Sequence, residues 1–239
     1  MAPQAQTVVF LHGLGAGTDS WNPQIAALPD GFTGIAPRIA GLADGDGEGF
    51  SLRAAATAVR EELDRLGVER AHLVGLSLGG MVATRFAIDS PARVTSLVLS
   101  GSQVHPNPAL MRVQNAIMRL LPARVVAQPG MSKQRMLAVL RAVGETDFRG
   151  DLARVTAPTL VLCGLKDRPN LPAAKELAAG IPGAELQLVP GTGHEWNIHQ
   201  PDAFSTRLNA FHRSLMSSRP VRCSAPTVRV RPSTRSTSA

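Results

Sequence analysis

Gly75-Leu76-Ser77-Leu78-Gly79-Gly80 is the stretch that decides the reading of this chain. Ala71-His72-Leu73-Val74, just before it, is a short apolar run of the kind that forms a buried strand. Met81-Val82-Ala83-Thr84-Arg85-Phe86-Ala87, just after it, reads as a helix. G-x-S-x-G is a short pattern, and a glycine-rich chain can produce it as an ordinary turn with an incidental serine. Between a strand and a helix it has a mechanical meaning. The turn must be so tight that its central residue is held in a strained conformation, and glycines on either side remove Cβ atoms that would otherwise collide. The Ser77 hydroxyl is then pushed into the open, and the Leu78 amide points at whatever Ser77 attacks.

The segments on both sides repeat the strand-then-helix rhythm. Thr7-Val8-Val9-Phe10-Leu11 is a β-rich run that ends at His12-Gly13-Leu14-Gly15-Ala16-Gly17. Ser20 to Leu28 reads as a helix with Trp21, Ile25 and Leu28 at helical spacing, and Phe32 to Pro37 as a second strand. After a Gly- and Asp-rich loop, Ser51 has the character of an N-cap. The helix it opens runs to Leu66, with Leu52, Ala55, Ala56, Val59, Leu63 and Leu66 on one face. Val94 to Leu99 is the next strand. The rhythm breaks after Gly101. Leu110, Val113, Ile117 and Leu120 mark one amphipathic helix and Met136, Val139, Leu140 and Val143 another, neither with a strand before it. The rhythm resumes with a strand over Pro158 to Cys163, a helix over Leu171 to Gly180 and a strand over Ala184 to Val189. A last helix opens at Pro201, with Phe204, Leu208, Phe211 and Leu215 inward. Alternation of this kind predicts an α/β fold, a mostly parallel sheet with helices on both faces. The predicted layout is a core of residues 1–102 and 151–216, a helical lid inserted at 103–150, and a disordered basic tail at 217–239.

Composition removes several function classes. The 239 residues are 44% hydrophobic, enough for a sizeable core. Two cysteines, Cys163 in a strand and Cys223 in the tail, make no disulfide framework, which fits a reducing compartment. Met1-Ala2-Pro3-Gln4-Ala5-Gln6 has neither a charged n-region nor a long apolar h-region, and no apolar run is long enough to span a bilayer. A cytoplasmic location with no membrane partner is expected. The net charge of +7 suggests nucleic acid until it is divided. Residues 217–239 hold five arginines and no acid, residues 103–150 seven Lys/Arg and two acids, and the rest is net acidic. Such a tail is usually solvated chain, so no nucleic-acid partner is expected.

A serine hydroxyl is a poor nucleophile at neutral pH. It needs a base within hydrogen-bond reach, and the base needs an orienting carboxylate. The last strand runs into Gly191-Thr192-Gly193-His194, which puts His194 at the carboxyl edge shared with Ser77, where open parallel sheets bind ligands. Asp167, in Cys163-Gly164-Leu165-Lys166-Asp167, follows the preceding strand to the same edge. Ser100-Gly101-Ser102-Gln103 offers no carboxylate after the strand at Val94 to Leu99, and Asp147 and Asp151 lie in or beside the insertion. The amides of Leu14 and Leu78 are the candidate oxyanion donors. His12 is read as a prop for its loop. His72, His105, His199 and His212 have no motif context and are read as structural or exposed.

To about residue 216, the chain resembles the α/β-hydrolase superfamily. The motifs are His12-Gly13-Leu14-Gly15, the elbow with Gly79-Gly80-Met81, Gly164-Leu165-Lys166-Asp167, and Gly193-His194 followed by Asn197 and Pro201. It is most similar to small esterase and enol-lactonase members. The resemblance implies Ser77 as nucleophile, Asp167 as acid and His194 as base, without cofactor or metal. The chain departs from the family in three ways. Two strands that usually precede the one at Thr7 are missing, Pro37-Arg38 stands where Pro-Asp is usual, and the insertion is short for a lid. The function expected is hydrolysis of a small-molecule carboxylic ester, lactone or thioester. The alternatives are a C–C bond hydrolase or cofactor-free perhydrolase on the same residues, a slow-turnover small-molecule receptor, and polyanion binding through the tail. Substrate identity and oligomeric state are not legible in the sequence.

Overall fold

The computed structural model describes residues 5–47, 49–128 and 130–217. The expected tail, apart from Ser217, lies outside the described residues, as does Cys223. The elements in chain order are β1 (Gln6–Leu11), α1 (Asn22–Ala26), β2 (Phe32–Ile35), α2 (Leu52–Arg65), β3 (Ala71–Leu76), α3 (Leu78–Asp89) and β4 (Val94–Ser100). Then come α4 (Pro108–Leu120), α5 (Ala123–Val126), α6 (Lys133–Gly144), β5 (Thr159–Gly164), α7 (Leu171–Gly180), β6 (Glu185–Val189), α8 (Trp196–His199) and α9 (Pro201–Ser217). The six strands form one open sheet in the order β2-β1-β3-β4-β5-β6, every neighbouring pair parallel.

Alternation along each strand divides the core in two. Val9, Leu11, Leu73, Leu97, Leu99 and Val161 pack under α2, α3, α6 and α7. Val8, Phe10, Val74, Leu76, Val98 and Leu162 face Trp21, Trp196 and the Phe204, Leu208 and Phe211 stripe of α9. Both faces of the central strands are therefore buried, which is why they read as unbroken apolar runs rather than alternating ones.

Local chemistry sets most boundaries. The Ser51 hydroxyl accepts from the Ala54 amide at 3.1 Å and opens α2. Leu66, expected on the buried face, is 42% exposed, because the helix has ended by then and Gly67 turns away at φ 66°. The helix expected over Ser20 to Leu28 is shorter. A 3-10 turn over Thr18–Trp21 precedes α1, which stops at Ala26 because Leu28 precedes Pro29 and is biased away from the helical region. The larger difference is in α4. Val113, Ile117 and Leu120, expected to face inward, are 57%, 54% and 87% exposed. Met111, Met118 and Leu121 occupy the inner face instead.

Far from the sheet's carboxyl edge, α9 carries a histidine into the core. His212 is fully buried, stacked on Phe32 with ring centroids 5.1 Å apart and 4.7 Å from His72, and neither of its ring nitrogens has a hydrogen-bond partner among the described residues. His72 bonds instead to Ser96 Oγ at 2.8 Å and Gln6 Oε1 at 3.1 Å. Burial, helped by the neighbouring His72, pushes the His212 imidazole down to about 3 from 6.5. Between those values the unfolded chain takes up a proton that the folded chain refuses. Stability is therefore full above about pH 6.5 and falls with acid by up to about 1.4 kcal/mol per pH unit. Chemical denaturation across that range should show the slope for the native protein and a flatter profile for His212→Leu. Equal slopes would mean that other groups control acid unfolding.

Candidate active site

The turn between β3 and α3 has the geometry its glycines require. Ser77 sits at φ 55°, ψ −117°, and is the one non-glycine residue with positive φ among those described. A conformation of this kind costs about 1–3 kcal/mol and persists only where its surroundings enforce it. A Cβ at Gly79 would collide with the Leu11 carbonyl, and one at Gly75 with the backbone of Gly79 and Gly80. The Ser77 amide donates to the Ser100 carbonyl at 2.9 Å, which ties the turn to the end of β4. Leu78 opens α3, so its amide is among the donors a helix leaves without an intrahelical acceptor, at the positive end of the helix dipole.

The loops after β5 and β6 are knitted together. The Leu165 amide donates to Val189 and the Lys166 amide to Thr192, both at 2.9 Å. That brings His194 Nδ1 to 2.7 Å from Asp167 Oδ2. Asp167 is buried, and His194 is half-buried at the cavity. The hydrogen bond to Asp167 raises the imidazole above its ordinary range; burial opposes the shift, and the charges of Asp167 and Glu195 add to it. Gly101 lies against the pair at φ 55°, where a Cβ would stand 2.9 Å from His194 Nδ1 and 3.0 Å from Asp167 Oδ2. The rival carboxylates lie elsewhere. Asp147 is held by Arg149 at 2.6 Å and Asp151 by Arg154 at 3.2 Å.

Ser77, Leu14, Leu78 and His194 all line one cavity of about 550 Å³. Its wall is mainly apolar, with Met81, Met111, Leu140, Val143 and Pro172 among its residues. His12 is buried beside this loop but does not line the cavity. Its Nδ1 lies 2.9 Å from the Gly13 carbonyl oxygen, and burial lowers its pKa. Among the described residues, no group of three or more His, Cys, Asp or Glu side chains is placed to hold a metal ion.

Several polar groups at the site had no motif to announce them. Asn170 Nδ2 donates to both oxygens of Asp167, at 2.8 and 2.9 Å, and its own oxygen accepts from Gln103 Nε2. Gln103 and Asn170 both line the cavity, as do Asn107, Glu176 and His105. The available signal for Asn170 was the spacing in Asp167-Arg168-Pro169-Asn170. A 3-10 turn over Arg168–Asn170 folds the asparagine back onto the carboxylate three residues earlier. His105 lies at 3.7 Å from Asp147 and reaches the cavity from the segment between β4 and α4, a placement the sequence did not signal.

The helices between β4 and β5 are fastened over the cavity by side chains that the sequence presented as charge. Lys133 Nζ donates to the Leu121 carbonyl at 2.5 Å, Arg135 to the Gly47 carbonyl at 2.7 Å, and the Ser132 hydroxyl to Asp44 at 2.6 Å. Met111, Leu140 and Val143 from these helices line the cavity.

A parallel α/β sheet with a strained serine turn and a His–Asp pair at its carboxyl edge defines a class, and comparison with known proteins agrees. The profile of the alpha/beta hydrolase family matches residues 8–207, and the chain belongs to that family. A protein of Variovorax paradoxus named "Putative carbamate hydrolase RutD" is 30% identical, over 86% of this chain and 91% of its own. The crystal structure of the enol-lactonase from Burkholderia xenovorans superposes with a TM-score of 0.78 at 22% identity, covering 88% of this chain and 92% of that one. A thermophilic esterase from Thermogutta terrifontis gives 0.76 at 22% identity, covering 89% and 91%. At that identity the two structures bear on the fold alone. The protein is an α/β-fold hydrolase, and among the described residues no helix is long and apolar enough to cross a membrane.

Proposed function

We propose that the protein is a serine hydrolase of carboxylic esters, lactones or thioesters. The observation that carries the reading is the His194–Asp167 hydrogen bond at 2.7 Å beside a cavity that also holds the positive-φ Ser77. Asp167 fixes the His194 tautomer, so that Nε2 is the basic nitrogen. His194 takes the Ser77 proton as the hydroxyl oxygen attacks the substrate carbonyl. The amides of Leu14 and Leu78 hold the oxyanion. Collapse of the tetrahedral intermediate expels the alcohol or thiol, which takes its proton from His194 and leaves an acyl-Ser77. Water, activated by the same imidazole, then releases the acid. The mainly apolar wall favours an uncharged acyl group. Relatives named as carbamate hydrolases make carbamates a further acyl class to test.

The test is a panel of nitrophenyl esters, lactones, thioesters and carbamates of varied acyl length. Saturable turnover with fluorophosphonate labelling confined to Ser77 is expected. Failure to turn over any acyl substrate, with no labelling, would refute the proposal.

Asn170 is expected to act as a positioning residue for Asp167 in the same scheme. Asn170→Ala should lower kcat by about tenfold, the order of one hydrogen bond to a charged group. It should also alter the acid limb of the pH–rate profile. A fall in activity with an unchanged profile would point to a general loosening of the loop instead.

A further inference from the structure

Among the described residues, nothing covers the apolar outer row of α4. Met111 and Met118 turn inward, while Val113, Ile117 and Leu120, at helical spacing on the opposite side, are 57%, 54% and 87% exposed, and Val125 in the next turn is 61% exposed. Single exposed aliphatic residues are ordinary; a continuous row of them is not. Arg119 and Arg124 stand exposed beside the row, and the sequence contains no aspartate or glutamate from Ser90 to Gly144.

We propose that this face lies flat on an anionic lipid surface. Val113, Ile117, Leu120 and Val125 enter the boundary of the acyl chains, while Arg119 and Arg124 meet the phosphates. A helix with an apolar row, a cationic border and no acid of its own has the chemistry of an interfacial helix. Two alternatives fit less well. A second copy packed through the same face would bring two cationic borders together, with no acid on the helix itself to neutralise them. A protein partner would need an anchor, and this convex row offers short aliphatic side chains without an aromatic. The expectation of no membrane partner rested on the lack of a spanning segment, which a helix lying in the surface does not require. Because Met111 on the inner side of α4 lines the cavity, docking would set the cavity beside the lipid.

The test is sedimentation of the 239-residue chain with vesicles of phosphatidylcholine, with and without phosphatidylglycerol. Binding to the anionic vesicles and little to the neutral ones is expected. Replacing Val113, Ile117 and Leu120 together by serine should weaken binding by about tenfold or more. Replacing Arg119 and Arg124 by serine should cost about fivefold per arginine. A variant with serine at Arg219, Arg222, Arg229, Arg231 and Arg235 separates the tail from α4 and should keep most of the binding. Circular dichroism should show all three variants folded, since the α4 substitutions are at exposed positions. Three outcomes would overturn the proposal. One is no binding by the native protein. Another is loss of binding only in the tail variant. The third is a dimer, by light scattering, that the serine triple variant splits.

Discussion

Ser77→Ala is expected to abolish nearly all turnover, by about 10⁶-fold in kcat, the order seen when the nucleophile of a serine protease is removed. The size follows from the chemistry. Without the hydroxyl there is no acyl-enzyme, and only the oxyanion donors and substrate binding remain. Stability should barely change, because the small side chain faces the cavity and alanine bears the same positive φ, at the same cost, as serine. A melting temperature close to that of the native protein, with fluorophosphonate labelling lost, is the expected pair of results. A folded variant that keeps most of its activity would remove Ser77 from the mechanism.

Asp167→Asn should lower kcat by about 10⁴-fold, as expected when an amide favours the wrong imidazole tautomer in such an arrangement. Asp147→Asn and Asp151→Asn should do far less, since Asp147 and Asp151 are paired with Arg149 and Arg154. The substitution also has a pH signature. His194 must be neutral to accept the Ser77 proton, and Asp167 raises its pKa. Activity therefore falls as the pH drops through that raised value. With Asn at 167 this contribution is gone, and the acid limb of kcat/KM should move to lower pH. An Asp147→Asn variant more damaged than Asp167→Asn would mean the wrong carboxylate had been assigned.

The sequence carried the sheet and the elbow because their signals are local. Val8 to Leu11, Leu73 to Leu76 and Val161 to Cys163 are buried on both faces, so no register error could hide them. The glycines at 75 and 79 mark a backbone approach that no larger residue permits. α4 turns opposite to its expected orientation for a definable reason. Its residues offer two apolar rows, Met111–Met118–Leu121 and Val113–Ile117–Leu120, and periodicity cannot say which one meets the body. Among the cations of residues 103–150, Lys133 and Arg135 spend donors on the carbonyls of Leu121 and Gly47, partners that no local pattern in the sequence shows.

What the sequence determined by itself was the alternation of strands and helices, the strained serine turn and the placement of Asp167 and His194 at the sheet's carboxyl edge. Each follows from residues close to one another in the chain. What only the tertiary structure decided was contact across the chain: Asn170 holding both oxygens of Asp167, Gln103 bonding to Asn170 from 67 residues away, His105 reaching the cavity, and the outward row on α4. The physical reason is that a side chain's partners are set by how loops from separate strands converge. Helix and strand periods fix which residues share a face but not what that face will meet.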